Sequence, residues 1–375
     1  MKVLKKITIF ILFIFFFLGA FFLVAGKDKE LGRKFLYQDY GTGIYLGDDG
    51  KKYLGGDLFG FSEVERFKEK IQNTPLTADW SVNEAAVILK GDSFFNTGYD
   101  SDPVPNALEN NWNQKIFYKP TSGREVTPLK YLAEINYQTG TGKYFILETV
   151  ERNAVERARG LEFDFKNNSV SDINTLKNDY WSDIKSRVKV FITKSNIRSV
   201  LFDRVSVEYF IKNNILFRPV NIWLKNKAFN WFGDINSKTP IYLDNPNLLF
   251  FDAEINFNED KKKLEEINYL ADNIAQEARL IQEKYNLTFV YLIIPNKFSV
   301  YGDLVAGGKS YDNFIPLLQA ALQKRGIQYI DVYQIFTQYK KTNPDDLLFY
   351  GGDTHYSPVG KQLVIDEIIN SKIFK

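Results

Sequence analysis

Three side chains in this chain of 375 residues have the types and spacing for nucleophilic catalysis. They are Ser93 in "GDSFF", and Asp353 and His355 in "GGDTHYSPVG". His355 is the only histidine. A serine hydroxyl is a weak nucleophile until a base within hydrogen-bond reach takes its proton, and a neutral imidazole can do so near pH 7. The imidazole needs a carboxylate to fix its tautomer and stabilise the imidazolium. Asp353, two residues away in the same loop, is suited to that task. The Ser93 N–H, at a strand-to-helix turn, would point into an oxyanion hole, and Asp92 would brace the turn by accepting backbone N–H bonds. Each motif also has a plainer reading. Gly-Asp-Ser is a common turn, and Asp-Thr-His can be a capped loop. Together they favour catalysis, because both fall where an α/β fold gathers its active-site loops and the sole imidazole stands beside an acid.

Other chemistries find less support. One His and no Cys leave only carboxylates as metal ligands, with no H-E-x-x-H or EF-hand spacing, so neither a metal nor a cofactor is expected. Thiolate catalysis and disulfides are excluded. The net charge of +2, from 48 basic and 46 acidic side chains, makes no electrostatic case for nucleic acid. The 32 Phe, 22 Tyr and 5 Trp are read first as core, although sugar-binding surfaces also use aromatics.

The elements that must position these residues alternate between strand and helix. Ala85–Leu89 reads as a buried strand ending in a tight turn at Gly91, Asp92 and Ser93. "QKIFYKP" predicts a second strand, and "TPLKYLAEINY" a helix with Thr127 as N-cap and Pro128 at its first position. "GKYFILETVER" predicts a third strand, with Glu148 and Arg152 at or just past its end. A helix is expected over 258–285, with Leu264, Ile267, Ala271, Ile274, Ala278 and Ile281 on one face. The strand "LTFVYLII", a helix over 310–325 stopped by Gly326, the strand "IQYIDVY" and a last helix capped by Ser357 follow. This alternation predicts a mostly parallel sheet covered on both faces. Residues 155–255 read as an inserted, mainly helical segment, and 27–80 as a stalk and lead-in with a short helix near 63–72.

The N-terminus has a different character. Lys2, Lys5 and Lys6 precede an uncharged run from Ile7 to Gly26. Twenty helical residues at ~1.5 Å each span about 30 Å, the hydrocarbon core of a bilayer. "LVAGKD" is a poor cleavage site, so an uncleaved anchor over 1–26 is expected, with residues 81–375 as the main folded domain. Charge alone does not orient the anchor, because Lys27, Lys29, Arg33 and Lys34 follow it.

With these residues in view, the chain resembles the SGNH hydrolase superfamily. "GDSFF" is similar to its nucleophile block and "GDTHYSPVG" to its Asp/His block. "LIIPNKFSVYGDL" at 292–304, "LLFYGGDTHYSPVGKQLV" at 347–364 and "ILETVERNAVE" at 146–156 resemble its alginate O-acetyltransferase-like, DHHW-type branch. In that branch the Asp/His block precedes the serine block; here it follows, as in ordinary SGNH hydrolases. The resemblance implies an SGNH-like three-layer α/β sandwich and a Ser93-His355-Asp353 triad. It also implies an extracytoplasmic domain that moves acetyl groups on or off polysaccharide hydroxyls, often beside a multi-spanning membrane acyltransferase. Gly123 and Asn153 fall near the family's oxyanion blocks, and either can be a plain loop residue. Arg152 and Glu148 match that branch's E-x-x-E-R pattern and form either a structural salt bridge or a substrate contact. Lys297 is either a contact for an anionic sugar or the partner of a nearby acid. A membrane-anchored serine O-acyltransferase is the leading expectation. An esterase using the same triad and a non-catalytic glycan-binding or scaffold protein are the alternatives.

Overall fold

Every residue of Val87–Lys90 (β1) is buried, as expected for a parallel strand covered on both faces. Four more strands join it: Ile116–Tyr118 (β2), Tyr144–Val150 (β3), Thr288–Ile294 (β4) and Gln328–Ile330 (β5). All four pairings are parallel, in the order β2-β1-β3-β4-β5. The chain therefore reverses its direction of travel between β1 and β3. In open parallel sheets such a switch point leaves a crevice beyond the C-terminal strand ends.

The structure, a computed structural model, describes residues 44–46, 52–54, 70–72, 74–77, 81–120, 126–140, 142–161, 218–232, 242–243, 247–305 and 311–374. The expected anchor at 7–26, most of the helix expected near 63–72 and most of the 155–255 segment lie outside them; residues 70–72, which are described, are not helical. The chain divides into two compact units. One comprises residues 1–53, 63–65 and 171–235 and includes the helix Arg218–Phe232. The other comprises 54–62, 66–170 and 236–375 and contains the five-stranded sheet. Among the described residues, no helix is long and apolar enough to cross a membrane.

Side-chain alternation along the strands builds two cores. Val87, Leu89, Ile146, Val290 and Leu292 face one way, against helices Val104–Asn111 (α2), Val332–Thr342 (α9) and Pro358–Asn370 (α10). Ile88, Phe145, Leu147, Phe289 and Tyr291 face the other. They meet Pro128–Glu134 (α3), Glu151–Gly160 (α4), Leu264–Tyr285 (α6) and Phe314–Gln323 (α8). Helices on both faces of a parallel sheet make an α/β architecture consistent with the SGNH-like fold. As expected, Thr127 and Ser357 cap α3 and α10, with Pro at the first position of each.

Three sequence boundaries shift. The helix expected over 258–285 is two helices, Asp252–Glu259 (α5) and α6. Asp260 leaves the helical region at ψ 69°, and Lys261–Lys263 span the break. Glu265 and Glu266 then occupy the first turn of α6, where the helix dipole favours acids and three lysines would oppose it. Leu264, expected on the buried face, is exposed at that start. The helix expected over 310–325 runs only from Phe314 to Gln323, with Gly326 beyond it at φ +72°. At the edges of the 155–255 segment, α4 continues from β3 to Gly160, and Leu248 and Phe250 are buried in the sheet's core.

Candidate active site

Ser93 opens a single-turn helix, Ser93–Asn96 (α1), directly after β1. Gly91 is required at the bend, because a Cβ there would lie 2.5 Å from Glu148 Oε2 and 2.7 Å from Phe95. Asp92 caps the turn by accepting the Phe94 N–H. Its other carboxylate oxygen is paired with Arg157 at 2.9 Å. Arg157 also donates to the Glu148 carbonyl and the Thr149 hydroxyl, which ties the turn after β1 to the end of β3.

His355 arrives from the other end of the chain, in a hairpin-like loop. Phe349 bridges Tyr356 in antiparallel fashion, the Tyr350 N–H donates to the His355 carbonyl, and the Ser357 N–H donates to the Leu348 carbonyl. Gly360 is needed where α10 starts, since a Cβ would sit 2.2 Å from the Leu348 carbonyl oxygen. Tyr356 donates from its hydroxyl to the Phe94 carbonyl, and Tyr350 donates to the Tyr99 carbonyl and the Asp100 carboxylate. Lys361, buried on α10, donates to the carbonyls of Thr97 and Asp102, and burial lowers its pKa to about 8. These links run from the loop and α10 to the segment after Ser93.

The result is a continuous line of three groups. His355 Nε2 lies 2.7 Å from Ser93 Oγ, and His355 Nδ1 lies 2.7 Å from Asp353 Oδ2. Asp353 is fully buried and the His355 side chain is 4% exposed, whereas Ser93 is half-buried. Of the three residues, Ser93 is the one with substantial exposure. Phe94 packs on the imidazole at 4.7 Å and Tyr99 meets it edge-on at 5.8 Å, which restricts the ring's rotation. Such a line can relay the serine proton to Nε2 while the carboxylate holds the Nδ1 proton.

The other sequence candidates fall in different places. Gly123 lies outside the described residues. Asn153 is buried in the first turn of α4. Arg152, beside it, forms a buried ion pair with Glu254 at 3.3 Å and donates to the hydroxyl of Thr354, the residue between Asp353 and His355. Its guanidinium also lies 5.9 Å from the Phe94 ring centre. Arg152 thus touches the neighbours of both the base and the nucleophile. Lys297 corrects the expectation of a sugar contact. It has no exposed surface, and its ammonium donates to the carbonyls of Leu249, Tyr350 and Gly351. A cation enclosed among carbonyls supports the histidine loop from beneath and does not meet a solvent-borne glycan.

Two sequence motifs interlock behind the site. The Glu151 carboxylate accepts from the Asn296 N–H, the Ser299 hydroxyl and the Tyr311 hydroxyl, while Asn296 accepts from the Arg152 N–H. The starts of α4 and Lys297–Tyr301 (α7) therefore cap one another. Burial raises the Glu151 pKa to about 7 against the pull of its three donors. Sequence reading passed over Glu151, Arg157, Lys361 and Glu254. Glu151 carried a signal as the second glutamate of the E-x-x-E-R pattern, and Arg157 as the second arginine of "ERNAVER".

Residues 244–371, about a third of the chain, match the family model described as the SGNH hydrolase-like domain of acetyltransferase AlgX. The matched span holds Asp353, His355 and Lys297; Ser93 and Arg152 lie upstream of it. No curated protein and no solved structure matches the chain. Over 244–371 the chain is thus similar to the AlgX domain, which supports its resemblance to the alginate O-acetyltransferase-like branch of the SGNH superfamily.

Proposed function

We propose that this protein is a membrane-anchored, extracytoplasmic serine O-acyltransferase that transfers an acyl group, most simply acetyl, to hydroxyls of a cell-envelope or exported polysaccharide. The Ser93–His355–Asp353 line, at 2.7 Å for each step, carries the reading, and the AlgX-type match supports acyl-transfer chemistry on a polysaccharide. His355 Nε2 takes the Ser93 proton as Oγ attacks the acyl carbonyl. The Ser93 N–H and the Arg152 cation favour the oxyanion. Nε2 then protonates the leaving group, and acyl-Ser93 remains. A sugar hydroxyl gives its proton to Nε2, attacks the acyl carbon and leaves as the ester, restoring Ser93. Asp353 holds the imidazole's tautomer throughout. Lys2, Lys5, Lys6 and the run Ile7–Gly26 support the anchor. Outside the cytoplasm, the acyl group would come from a multi-spanning membrane acyltransferase partner.

The test is intact-mass analysis of the full-length protein in detergent after exposure to nitrophenyl acetate, with and without an oligosaccharide acceptor. Acetyl on Ser93 followed by acetylated sugar is the expected outcome. Acetate alone in the presence of acceptor would assign an esterase. Turnover unchanged in Ser93→Ala would overturn the triad, and neither adduct nor turnover above the uncatalysed rate would leave a non-catalytic glycan-binding or scaffold protein.

A further inference from the structure

The acid at the end of β3 has no task in the steps above. Glu148 is fully buried, and its Oε2 accepts the Asp92 N–H at 2.7 Å, one residue before the nucleophile. Gly91 leaves the space that this carboxyl fills. Its second oxygen, Oε1, is buried and has no hydrogen-bond partner among the described residues. We propose that Glu148 is a positioning residue for Ser93: by accepting the Asp92 N–H in the space that Gly91 leaves, it fixes the serine turn, and a second negative charge set beside Asp92 would disturb that turn. The idea rests on the acyl-Ser93 reading for its kinetic consequence, but not for its structural one.

A charged carboxylate suits this place poorly. Oε1 would bear charge with no donor, and a buried charge without a partner is costly. Burial first, and the neighbouring Asp92 charge second, hold the Glu148 pKa well above the ordinary carboxylate range; Arg157 and the hydrogen bond from the Asp92 N–H only partly oppose them. The titratable groups around it are Lys90 on β1, Asp92 on the turn, Tyr118 on β2, Arg157 on α4, Tyr291 on β4 and Tyr356 in the histidine loop. The three tyrosines are themselves pushed up by burial, so they stay neutral where Glu148 titrates. Arg157 is already paired with Asp92 and donates to the backbone of residue 148. Ionising Glu148 would add a second negative charge beside Asp92, and its strain would fall on the amide that seats Ser93.

Glu148→Gln keeps the acceptor and removes the titration; Glu148→Ala removes both. In the full-length protein, Glu148→Ala is expected to lower kcat for nitrophenyl acetate by about a hundredfold, as a small displacement of the nucleophile does, with KM little changed. Glu148→Gln is expected to stay within about threefold of the parent at pH 7 and to lose its alkaline decline. The infrared band of buried protonated carboxyls, to which Glu151 also contributes, should be weaker by one carboxyl in Glu148→Gln than in the parent and in Ser93→Ala. Hydrogen exchange at the Asp92 amide should be slow in Ser93→Ala and fast in Glu148→Ala. A fully active Glu148→Ala, a Gln variant that keeps the alkaline decline, or a Gln variant with an undiminished band overturns the proposal. If Ser93→Ala hydrolyses ester as well as the parent does, the acyl-Ser93 reading fails, and the band and the exchange rates alone judge Glu148. Should Glu148→Ala not fold, the Gln variant's pH profile and band decide.

Discussion

Asp353, His355 and Ser93 divide the labour of activation according to exposure. The acid is fully buried, the imidazole nearly so, and Ser93 is half-buried. Removal of Asp353's charge by Asp353→Asn leaves a neutral ring with the wrong nitrogen protonated, so kcat is expected to fall by about 10³–10⁴-fold with little change in KM. Steady-state hydrolysis of nitrophenyl acetate measures this. Glu151 gives a second residue-level prediction, this time on stability. Its pKa is raised by burial from 4.5 to about 7, so the folded state binds a proton that the unfolded chain has released. That contribution is complete below pH 4.5 and is lost as pH rises to about 7. The loss is on the order of a few kcal/mol, at ~1.4 kcal/mol per unit. Urea midpoints of the parent should fall over that window more steeply than those of Glu151→Gln.

The loop and turn that carry these residues depend on two enclosed lysines and two glycines. Lys297→Met would strand the carbonyls of Leu249, Tyr350 and Gly351. Each unsatisfied buried acceptor costs ~1–3 kcal/mol, so the chain should unfold at clearly lower urea and the 349–356 amides should exchange faster. Gly360→Ala places a methyl 2.2 Å from the Leu348 carbonyl oxygen. Overpacking of this kind typically costs about 1–3 kcal/mol, and a drop in melting temperature checks it. The strands were legible in advance because each is a short apolar run followed by turn residues, as in "AAVILKGDS" and "LTFVYLIIPN". The triad residues were legible because an imidazole, a carboxylate and a hydroxyl each stood in a loop. Lys297 and Arg152 were visible as charges, but nothing local revealed that one donates to three backbone carbonyls and the other pairs with Glu254. Those partners come from segments separated by 48–54 and 102 positions. Contacts across such distances depend on the packing of whole elements, which no short motif encodes. The break at Asp260 was missed for the opposite reason, because its cause is local but the apolar periodicity on either side concealed it.

For the whole molecule, the sheet order places the serine turn and the Glu151–Arg152 helix start on either side of the switch point between β1 and β3. The family match spans the second half of this unit and supplies the Asp/His loop, while the nucleophile belongs to the first half. Deleting residues 1–26 should move the protein from the membrane fraction to the soluble fraction while preserving nitrophenyl acetate turnover. Fractionation followed by assay checks both parts. The 262 positions between Ser93 and His355 also impose an order in time. At a synthesis rate of ~5–20 residues per second, the serine waits roughly 10–50 s before its base has even been translated. The helix behind His355 must then dock before the two meet. A chain interrupted anywhere between Ser93 and His355 carries the hydroxyl without its activator, so acyl esters met by the growing polypeptide are safe from it until the Asp/His loop has been made.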